Sequence, residues 1–239
     1  MKARIRNLEI NYEILGEGKP LLVLHGWGSE ARKWIKTAEY LAEDFKVIIL
    51  DLPGFGSSQK PHFIWGLDEY SSFLKDFIDY LELEDFFLLG HSFGGSLAAK
   101  YALRHPVKKL ILVDAACIRK KTFKKSFLRF CSKSFKSIKN ISWIRKNLYR
   151  IVKSDYPSSE GIMKEIYLKV IKQDLSKDLE KIRIPVLIIW GEKDKITPLS
   201  QAKIIQDKIK GSELRIIEGA DHSPHLSCPE KLSEIIKAP

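Results

Sequence analysis

The sequence contains few cysteines and no long apolar run, and each shortage excludes a class of protein. The three cysteines among 239 residues form no CxxC pair and have no metal-ligand spacing. A disulfide-stapled secreted fold is therefore not expected, and a reduced, cytoplasmic location is predicted. No apolar stretch approaches the roughly 18 residues that a membrane-spanning helix needs. The first residues alternate like a strand and lack the apolar block of a secretory signal, so we expect no signal peptide.

Acidic residues are scarce in only one part of the chain. Residues 117–178 carry 17 Lys and Arg against 5 Asp and Glu, whereas the remainder carries 24 basic and 25 acidic residues. The net charge of +11 therefore belongs to this basic segment. A pI near 9.4 raises the question of nucleic-acid binding. No nucleic-acid-binding module is recognisable, so no such partner is expected.

Short apolar runs alternate with amphipathic helical stretches, which predicts βαβ units and a mostly parallel sheet with helices on both faces. The length and the 44% hydrophobic content suit one domain with a large core. The predicted strands cover residues 21–24, 47–51, 86–89, 110–113, 186–190 and 214–217, and the predicted helices cover residues 68–83, 93–104, 200–209 and 230–236.

The basic segment, residues 117–178, interrupts this alternation of strands and helices because it contains no strand-like run. Its apolar residues, from Phe123 to Ile151, repeat at helical spacing, and lysines occupy the other face. We interpret residues 117–178 as a helical insertion in a core that is formed by residues 1–116 and 179–239.

The sharpest local signal is the sequence Gly90-His91-Ser92-Phe93-Gly94, between an apolar strand-like run and a helical run. A serine on a tight strand-to-helix turn needs nearly absent side chains two residues to either side, and Gly90 and Gly94 meet that need. The helix that follows directs its N–H groups at the serine, where they favour a developing anion. Ser92 is therefore predicted to be a nucleophile and not a structural turn serine.

With this tight strand-to-helix turn around Ser92, which we call the elbow, the chain resembles the α/β-hydrolase fold family over nearly its whole length. His25-Gly26-Trp27-Gly28 resembles the family's oxyanion loop, and the stretch DLPGFGSS from Asp51 resembles its DxPGxGxS loop. The resemblance implies that the backbone N–H groups of Trp27 and Phe93 form the oxyanion hole. His25 is interpreted as a scaffolding residue that satisfies local backbone groups.

The same resemblance supplies the acid and the base in the chain order of this fold. Trp190-Gly191-Glu192-Lys193-Asp194 matches the WGxxD pattern, which makes Asp194 the acid. Asp114 follows an earlier strand, where some relatives carry the acid, and stays open as an alternative. The stretch from Gly219 to His225 resembles the GxxHxxH ending, which makes His222 the base and His225 a packing neighbour. Relatives often carry glutamate where this chain has Ser227, so local packing there is in question.

These residues predict a carboxylesterase that works through an acyl-enzyme, with no cofactor and no metal. His222 and His225 lack a third ligand with zinc spacing. A serine at the elbow disfavours haloalkane dehalogenases and epoxide hydrolases, whose relatives place a carboxylate there. A carbon–carbon bond hydrolase, a lipase and a non-catalytic ligand receptor of the same fold stay open as alternatives.

The expected substrate is a small-molecule ester, and the family places a cap over the site where residues 117–178 lie. The HGWG and DLPGFG stretches also resemble esterases that cleave the methyl ester of pimeloyl-carrier protein. A basic cap would suit an acidic carrier protein through electrostatic steering. An anionic membrane surface, or a merely solvated charged face, would explain the same charge.

Overall fold

The computed structural model describes residues 1–119 and 161–238. Eight strands form one sheet in the order β1-β2-β4-β3-β5-β6-β7-β8. The first two, β1 and β2, are antiparallel to their neighbours, and every pairing from β4 to β8 is parallel. The strands are β1 (Lys2–Ile5), β2 (Leu8–Leu15), β3 (Lys19–Leu24), β4 (Phe45–Leu50), β5 (Phe87–His91), β6 (Lys109–Val113), β7 (Val186–Gly191) and β8 (Glu213–Ile217).

Alternating side chains of the central strands belong to two separate apolar layers, one on each face of the sheet. In β3, Leu22 and Leu24 join one layer and Leu21 and Val23 join the other, and all four are fully buried. This division follows from the two-residue period of a strand. Because helices cover both faces, the strands read as continuous apolar runs, which is why the sequence revealed them.

Seven α-helices occur in the described residues. The larger layer packs against α2, α3, α4 and α5, and the smaller one against α1 and α7. The helices are α1 (Ile35–Leu41), α2 (Leu67–Tyr80), α3 (Phe93–Ala102), α4 (Ile162–Val170), α5 (Ser200–Lys208), α6 (Pro224–Ser227) and α7 (Pro229–Lys237). The predicted fold class is therefore confirmed: a mostly parallel sheet with helices on both faces.

Sequence-based boundaries differ from the structure mainly at helix ends. The helix predicted over residues 68–83 ends at Tyr80, and the one predicted over residues 93–104 ends at Ala102. The structure also contains α1 and the short α6, which the sequence did not predict. Helix α6 is a single turn that begins at Pro224, too short to show a helical period.

Residues between β6 and β7 hold the predicted insertion. Within the described residues this region contains α4 and a short 3₁₀ helix, Leu179–Lys181, and no strand. The predicted helical stretch from Phe123 to Ile151 lies outside the described residues, as does most of the insertion. Among the helices that the structure describes, none is long and apolar enough to cross a membrane.

Candidate active site

Ser92 stands at the turn between β5 and α3 in a strained backbone conformation. Its φ of 51° lies in the left-handed region, which a residue other than glycine adopts only at some cost. The turn is tight enough to exclude side chains beside it. A Cβ on Gly90 would lie 2.3 Å from the Gly94 carbonyl oxygen, and one on Gly94 would lie 2.2 Å from the Leu24 carbonyl oxygen. Both glycines of the GxSxG stretch are therefore required by space.

The His222 ring reaches Ser92 from the loop after β8. Its Nε2 lies 2.9 Å from Ser92 Oγ, and its Nδ1 lies 2.7 Å from Asp194 Oδ2. Because an ionised carboxylate only accepts hydrogen bonds, Nδ1 carries the proton and Nε2 accepts the one from the Ser92 hydroxyl. The structure thus brings together the serine, the histidine and the acid that the sequence proposed, in the order that nucleophilic catalysis uses.

Asp194 accepts hydrogen bonds from several donors in addition to the histidine. Its Oδ1 accepts the backbone N–H groups of Ile196 (2.7 Å) and Thr197 (3.0 Å), and its Oδ2 also accepts the Thr197 hydroxyl at 2.6 Å. Burial acts to raise the pKa of Asp194. The hydrogen bond and the charge of His222, together with the Thr197 donors, outweigh burial, so the net pKa of Asp194 is lowered. The ionised form that orients His222 is therefore favoured.

Two supporting residues escaped the sequence analysis. The Thr197 hydroxyl lies 2.6 Å from Asp194 Oδ2 and 3.3 Å from His222 Nδ1, so it borders the acid–base pair. His91, inside the GxSxG stretch, donates from Nε2 to the His222 carbonyl oxygen at 2.7 Å. Only the adjacency of Thr197 to the WGxxD stretch could have pointed to it. Nothing local in the sequence links His91 to a residue 131 positions away.

Asp114, the alternative acid, lies close to Asp194 and His222 but does not hydrogen bond to the histidine ring. Its Oδ1 accepts the Gly191 backbone N–H at 2.9 Å, and its side chain is fully buried. Asp114 also has a left-handed backbone, with φ of 45°. Asp194, which the sequence predicted to be the acid, is the carboxylate bonded to His222 Nδ1, and the alternative Asp114 is not.

One cluster in the described part of the chain has the composition of a metal site. A carboxylate oxygen of Asp114, one of Asp194 and a ring nitrogen of His222 all lie within 4.8 Å of one another. The His222 Nδ1 proton is directed at Asp194, however, and Nε2 is directed at Ser92. Because both ring nitrogens are used in hydrogen bonds, we assign the cluster to the hydrogen-bonded network.

The loop after β3 lies directly against the nucleophile. A Cβ on Gly26 would lie 3.3 Å from Ser92 Cβ, so the backbone of the loop approaches the serine closely. The next residue, Trp27, contacts the ring of Phe93 with centroids 5.3 Å apart. The two residues predicted to supply oxyanion donors therefore contact each other next to Ser92.

The side chains of His25 and His225 make structural contacts with backbone groups and with an aromatic ring. His25 Nε2 accepts the Leu52 backbone N–H at 3.0 Å, and its Nδ1 donates to the Gly26 carbonyl oxygen at 2.7 Å. The ring of His225 stacks on Trp34 with centroids 4.3 Å apart and an interplanar angle of 4°. The scaffolding role of His25 and the packing role of His225 are confirmed by these contacts.

Helix α4, at the carboxyl end of the predicted insertion, packs over the loops that flank the serine. Tyr167 contacts the Trp27 ring with centroids 5.1 Å apart. Lys169 pairs with Glu69 at the start of α2 at 3.0 Å. An open cavity of about 560 Å³ lies beside Trp27. Its walls include Met163 from α4, the apolar Phe55, and the charged Glu30, Lys33 and Lys60.

Comparison with known proteins assigns this arrangement to a family. Residues 19–136 and 122–229 match the model of the alpha/beta hydrolase fold. The chain belongs to the α/β-hydrolase fold family. In this hydrolase the fold provides the sheet order given above, the strained turn at Ser92 and the histidine on the loop after the last strand.

Relatives of this α/β hydrolase include proteins named as esterases. It is 29% identical to the AB hydrolase superfamily protein YisY of Bacillus subtilis, over 94% of this chain and 92% of the relative. It is 26% identical to the pimeloyl-[acyl-carrier protein] methyl ester esterase of Aeromonas hydrophila, over 96% and 98% of the two chains. The solved esterase EaEST from Exiguobacterium antarcticum shares the fold, with a TM-score of 0.78, 24% identity and coverage of 99% and 97%.

Proposed function

We propose that this hydrolase cleaves carboxylic esters through an acyl-enzyme formed on Ser92. One observation carries the proposal: a continuous chain of hydrogen bonds runs from Ser92 Oγ through the His222 ring to Asp194 Oδ2, at 2.9 and 2.7 Å. It starts at a serine whose strained turn presents the hydroxyl at the end of a parallel strand. This chain connects a nucleophile, a base and an orienting acid.

The reaction follows from the proton positions in that chain. His222 Nε2 removes the Ser92 proton as Oγ attacks the ester carbonyl carbon, and Asp194 stabilises the imidazolium that forms. The proton then passes from Nε2 to the leaving alcohol, and the acyl group stays on Ser92. Water, activated by the same nitrogen, attacks the acyl-enzyme and releases the acid. Ser92 recovers its proton from His222, which completes the cycle.

The backbone N–H groups of Trp27 and Phe93 are proposed to hold the oxyanion. Support comes from the close approach of Gly26 to Ser92 and from Phe93 being the first residue of α3, whose amino end carries partial positive charge. One oxyanion donor is typically worth about 3 kcal/mol of transition-state stabilisation. No metal or organic cofactor is needed for this sequence of steps.

Residues 117–178 are proposed to form a cap over the site. The described carboxyl end of the segment supports this role, because Met163 and Tyr167 of α4 contact the loops around Trp27. A cap in this position would contribute to the acyl pocket and would limit the size of the acyl group.

A panel of p-nitrophenyl esters with acyl chains from two to sixteen carbons tests the function. We expect turnover that peaks at short to medium chains and disappears in Ser92→Ala. Preferential hydrolysis of the longest chains would instead indicate a lipase. Preferential cleavage of a carbon–carbon bond in a diketone would indicate the other hydrolase class. Binding of these ligands without turnover of any of them would indicate a receptor.

A carrier-protein ester is the second candidate substrate. It is favoured by the similarity to the pimeloyl-[acyl-carrier protein] methyl ester esterase along nearly the whole chain, and by the concentration of positive charge in residues 117–178. Acidic carrier proteins are attracted to such a surface at long range. The salt dependence of turnover, compared between a carrier-bound ester and a neutral one, separates this candidate from a plain carboxylesterase.

A further inference from the structure

Two carboxyl groups meet behind the His222 ring. Asp114 is 0% exposed and Asp194 is 5% exposed, and an oxygen of each lies within 4.8 Å of the other and of a His222 ring nitrogen. Two buried carboxylates this close repel each other strongly, so they do not both ionise at neutral pH. This repulsion favours a state in which one of the two holds a proton.

The number of donors shows which group is ionised. Asp194 accepts four hydrogen bonds, from the Ile196 and Thr197 backbone, the Thr197 hydroxyl and His222 Nδ1. Asp114 accepts one, from the Gly191 backbone N–H to Oδ1. Its Oδ2 is buried and accepts no hydrogen bond from the part of the chain that the structure describes. Donors stabilise the charged form, so the charge belongs on Asp194 and the proton on Asp114.

We propose that Asp114 is a neutral carboxylic acid in the resting protein, and that its Oδ2 proton is donated to the Asp194 carboxylate. Asp114 is then a positioning residue, because it holds Asp194 in the orientation that His222 Nδ1 requires. The positioning role depends on the proposed function, whereas the protonation state does not. The proton stays on Asp114 throughout the cycle, so it is not transferred in any step of the reaction.

The surroundings of Asp114 agree with this assignment. Burial raises its pKa to about 9, opposed by the Gly191 N–H and reinforced by the negative charges of Asp194 and Asp221. Among the described residues, a His222 ring nitrogen also lies within 4.8 Å of an Asp114 carboxylate oxygen, and the charge of Asp114 acts to raise the pKa of the Cys228 thiol. The Thr197 hydroxyl lies 3.1 Å from the Asp114 carbonyl oxygen and 2.6 Å from Asp194 Oδ2, so both main chain and side chain of Asp114 join the same network.

Infrared difference spectroscopy detects the proton directly, without any turnover. At neutral pH the wild-type protein should show the carbonyl stretch of one buried carboxylic acid. That band should disappear in Asp114→Asn and persist in the matched control Asp207→Asn, which changes an exposed aspartate on α5. Asparagine tolerates the left-handed backbone at position 114, so the variant should fold. Absence of the band from the wild type, or its survival in Asp114→Asn, overturns the proposal.

A second spectrum tests the coupling between the two carboxyl groups. Asp194→Asn removes the charge that helps to keep Asp114 protonated, so the pKa of Asp114 should fall and its band should titrate at lower pH than in the wild type. An unchanged titration would show that the two groups do not share the proton, which contradicts the proposal. Neither spectrum depends on esterase activity, so a failed function and a failed proton assignment remain distinguishable.

Activity variants separate positioning from simple packing. A carboxamide at position 114 can donate to Asp194 and accept from Gly191, so Asp114→Asn should keep kcat/KM within about fivefold at neutral pH. Asp114→Ala removes both interactions and should lower kcat by about 10- to 100-fold. In the wild type, kcat/KM should fall as Asp114 ionises and its pKa of about 9 is passed. This decline should be absent from Asp114→Asn, and an identical alkaline decline in both proteins would contradict the positioning role.

Discussion

His222 Nε2 lies 2.9 Å from Ser92 Oγ, although 130 positions separate the two residues in the chain. The contact is possible because β5 and β8 are both strands of one sheet, and Ser92 and His222 follow their carboxyl ends. The carboxyl ends of parallel strands lie at the same edge of the sheet, where ligand-binding crevices of α/β proteins form. A local turn at Ser92 and a loop after the last strand therefore meet in one site.

The first prediction concerns the nucleophile. A fluorophosphonate probe should label the protein once, at Ser92, because this hydroxyl is hydrogen bonded to Nε2 of a histidine ring whose Nδ1 is held by a carboxylate. Ser92→Ala should abolish labelling and reduce kcat by about 10⁴- to 10⁶-fold. Ser72→Ala, which removes an exposed hydroxyl on α2, is the matched control and should label normally. Persistent labelling of Ser92→Ala would remove Ser92 from the proposed role.

The second prediction ranks the two acids. Asp194→Asn should lower kcat by about 10⁴-fold while the fold stays intact, because the amide no longer selects the productive His222 tautomer. Asp114→Asn should have a far smaller effect, since its side chain makes no hydrogen bond to the ring. Steady-state kinetics with one ester, with circular dichroism as the check on folding, provide the comparison. The reverse ranking would place the acid after β6.

The strands and the order of the site residues could be predicted from the sequence because their signals are local. A buried parallel strand is a short apolar run, and the glycines beside Ser92 leave a fixed pattern. Helix ends were less predictable, since the helical period of α2 continues past Tyr80 into Leu81 although the helix stops there. The antiparallel strands β1 and β2 were visible only as an alternating stretch, without their pairing.

The supporting contacts of the site were not predictable in the same way. His91 donates to the His222 carbonyl oxygen across the sheet, and no spacing rule connects residues so far apart. The sequence predicted Asp194 as the acid but kept Asp114 as an alternative, because both follow a buried strand. Their distinction depends on which carboxylate reaches Nδ1, a matter of three-dimensional distance and not of residue type.

The third prediction tests the space around the elbow. Gly94→Ala should lower the free energy of unfolding by about 3 kcal/mol or more, because the new Cβ would lie 2.2 Å from the Leu24 backbone oxygen, which has little freedom to move. Gly211→Ala is the control: it adds a methyl group at a φ of 77° with nothing within 4 Å. It should cost only about 1 kcal/mol through backbone strain. Urea unfolding measures both, and equal losses would contradict the steric argument.

The fourth prediction concerns acid stability. Burial, together with the charges of His222 and Lys33, lowers the pKa of His225 to about 3, against about 6.5 for an unfolded histidine. The unfolded chain therefore binds protons more readily, and stability that is present above about pH 6.5 is lost as pH falls towards the folded pKa. The lowered pKa values of His25 and His91 act in the same direction.

Replacing one of these histidines should flatten the pH dependence. His225→Phe keeps an aromatic ring against Trp34, and the decline in unfolding free energy between about pH 7.5 and about pH 5 should shrink by about 2 kcal/mol. His62→Phe changes an exposed loop histidine and should leave the decline as it is. An equal decline in the wild type and in His225→Phe would show that His225 does not contribute to acid sensitivity.

The last prediction concerns the charge of residues 117–178. If this segment meets an acidic carrier protein, the encounter is steered electrostatically, and exposed charges are screened over about 8 Å at physiological salt. Turnover of an acyl chain on such a carrier should fall steeply from low to high salt, mostly through kcat/KM. A small neutral ester carries no net charge, so its turnover should be nearly independent of salt.

Charge removal provides the matching test. Replacing Lys120, Lys121, Lys124 and Lys125 by serine should reproduce the loss with the carrier substrate at low salt and leave the neutral ester unchanged, because only the carrier responds to the field of the segment. Equal responses of both substrates to salt and to the substitutions would show that the basic segment is a solvated surface. The carrier-protein candidate would then be discarded, since its electrostatic support would be gone, and the carboxylesterase proposal would stand on the Ser92–His222–Asp194 geometry alone.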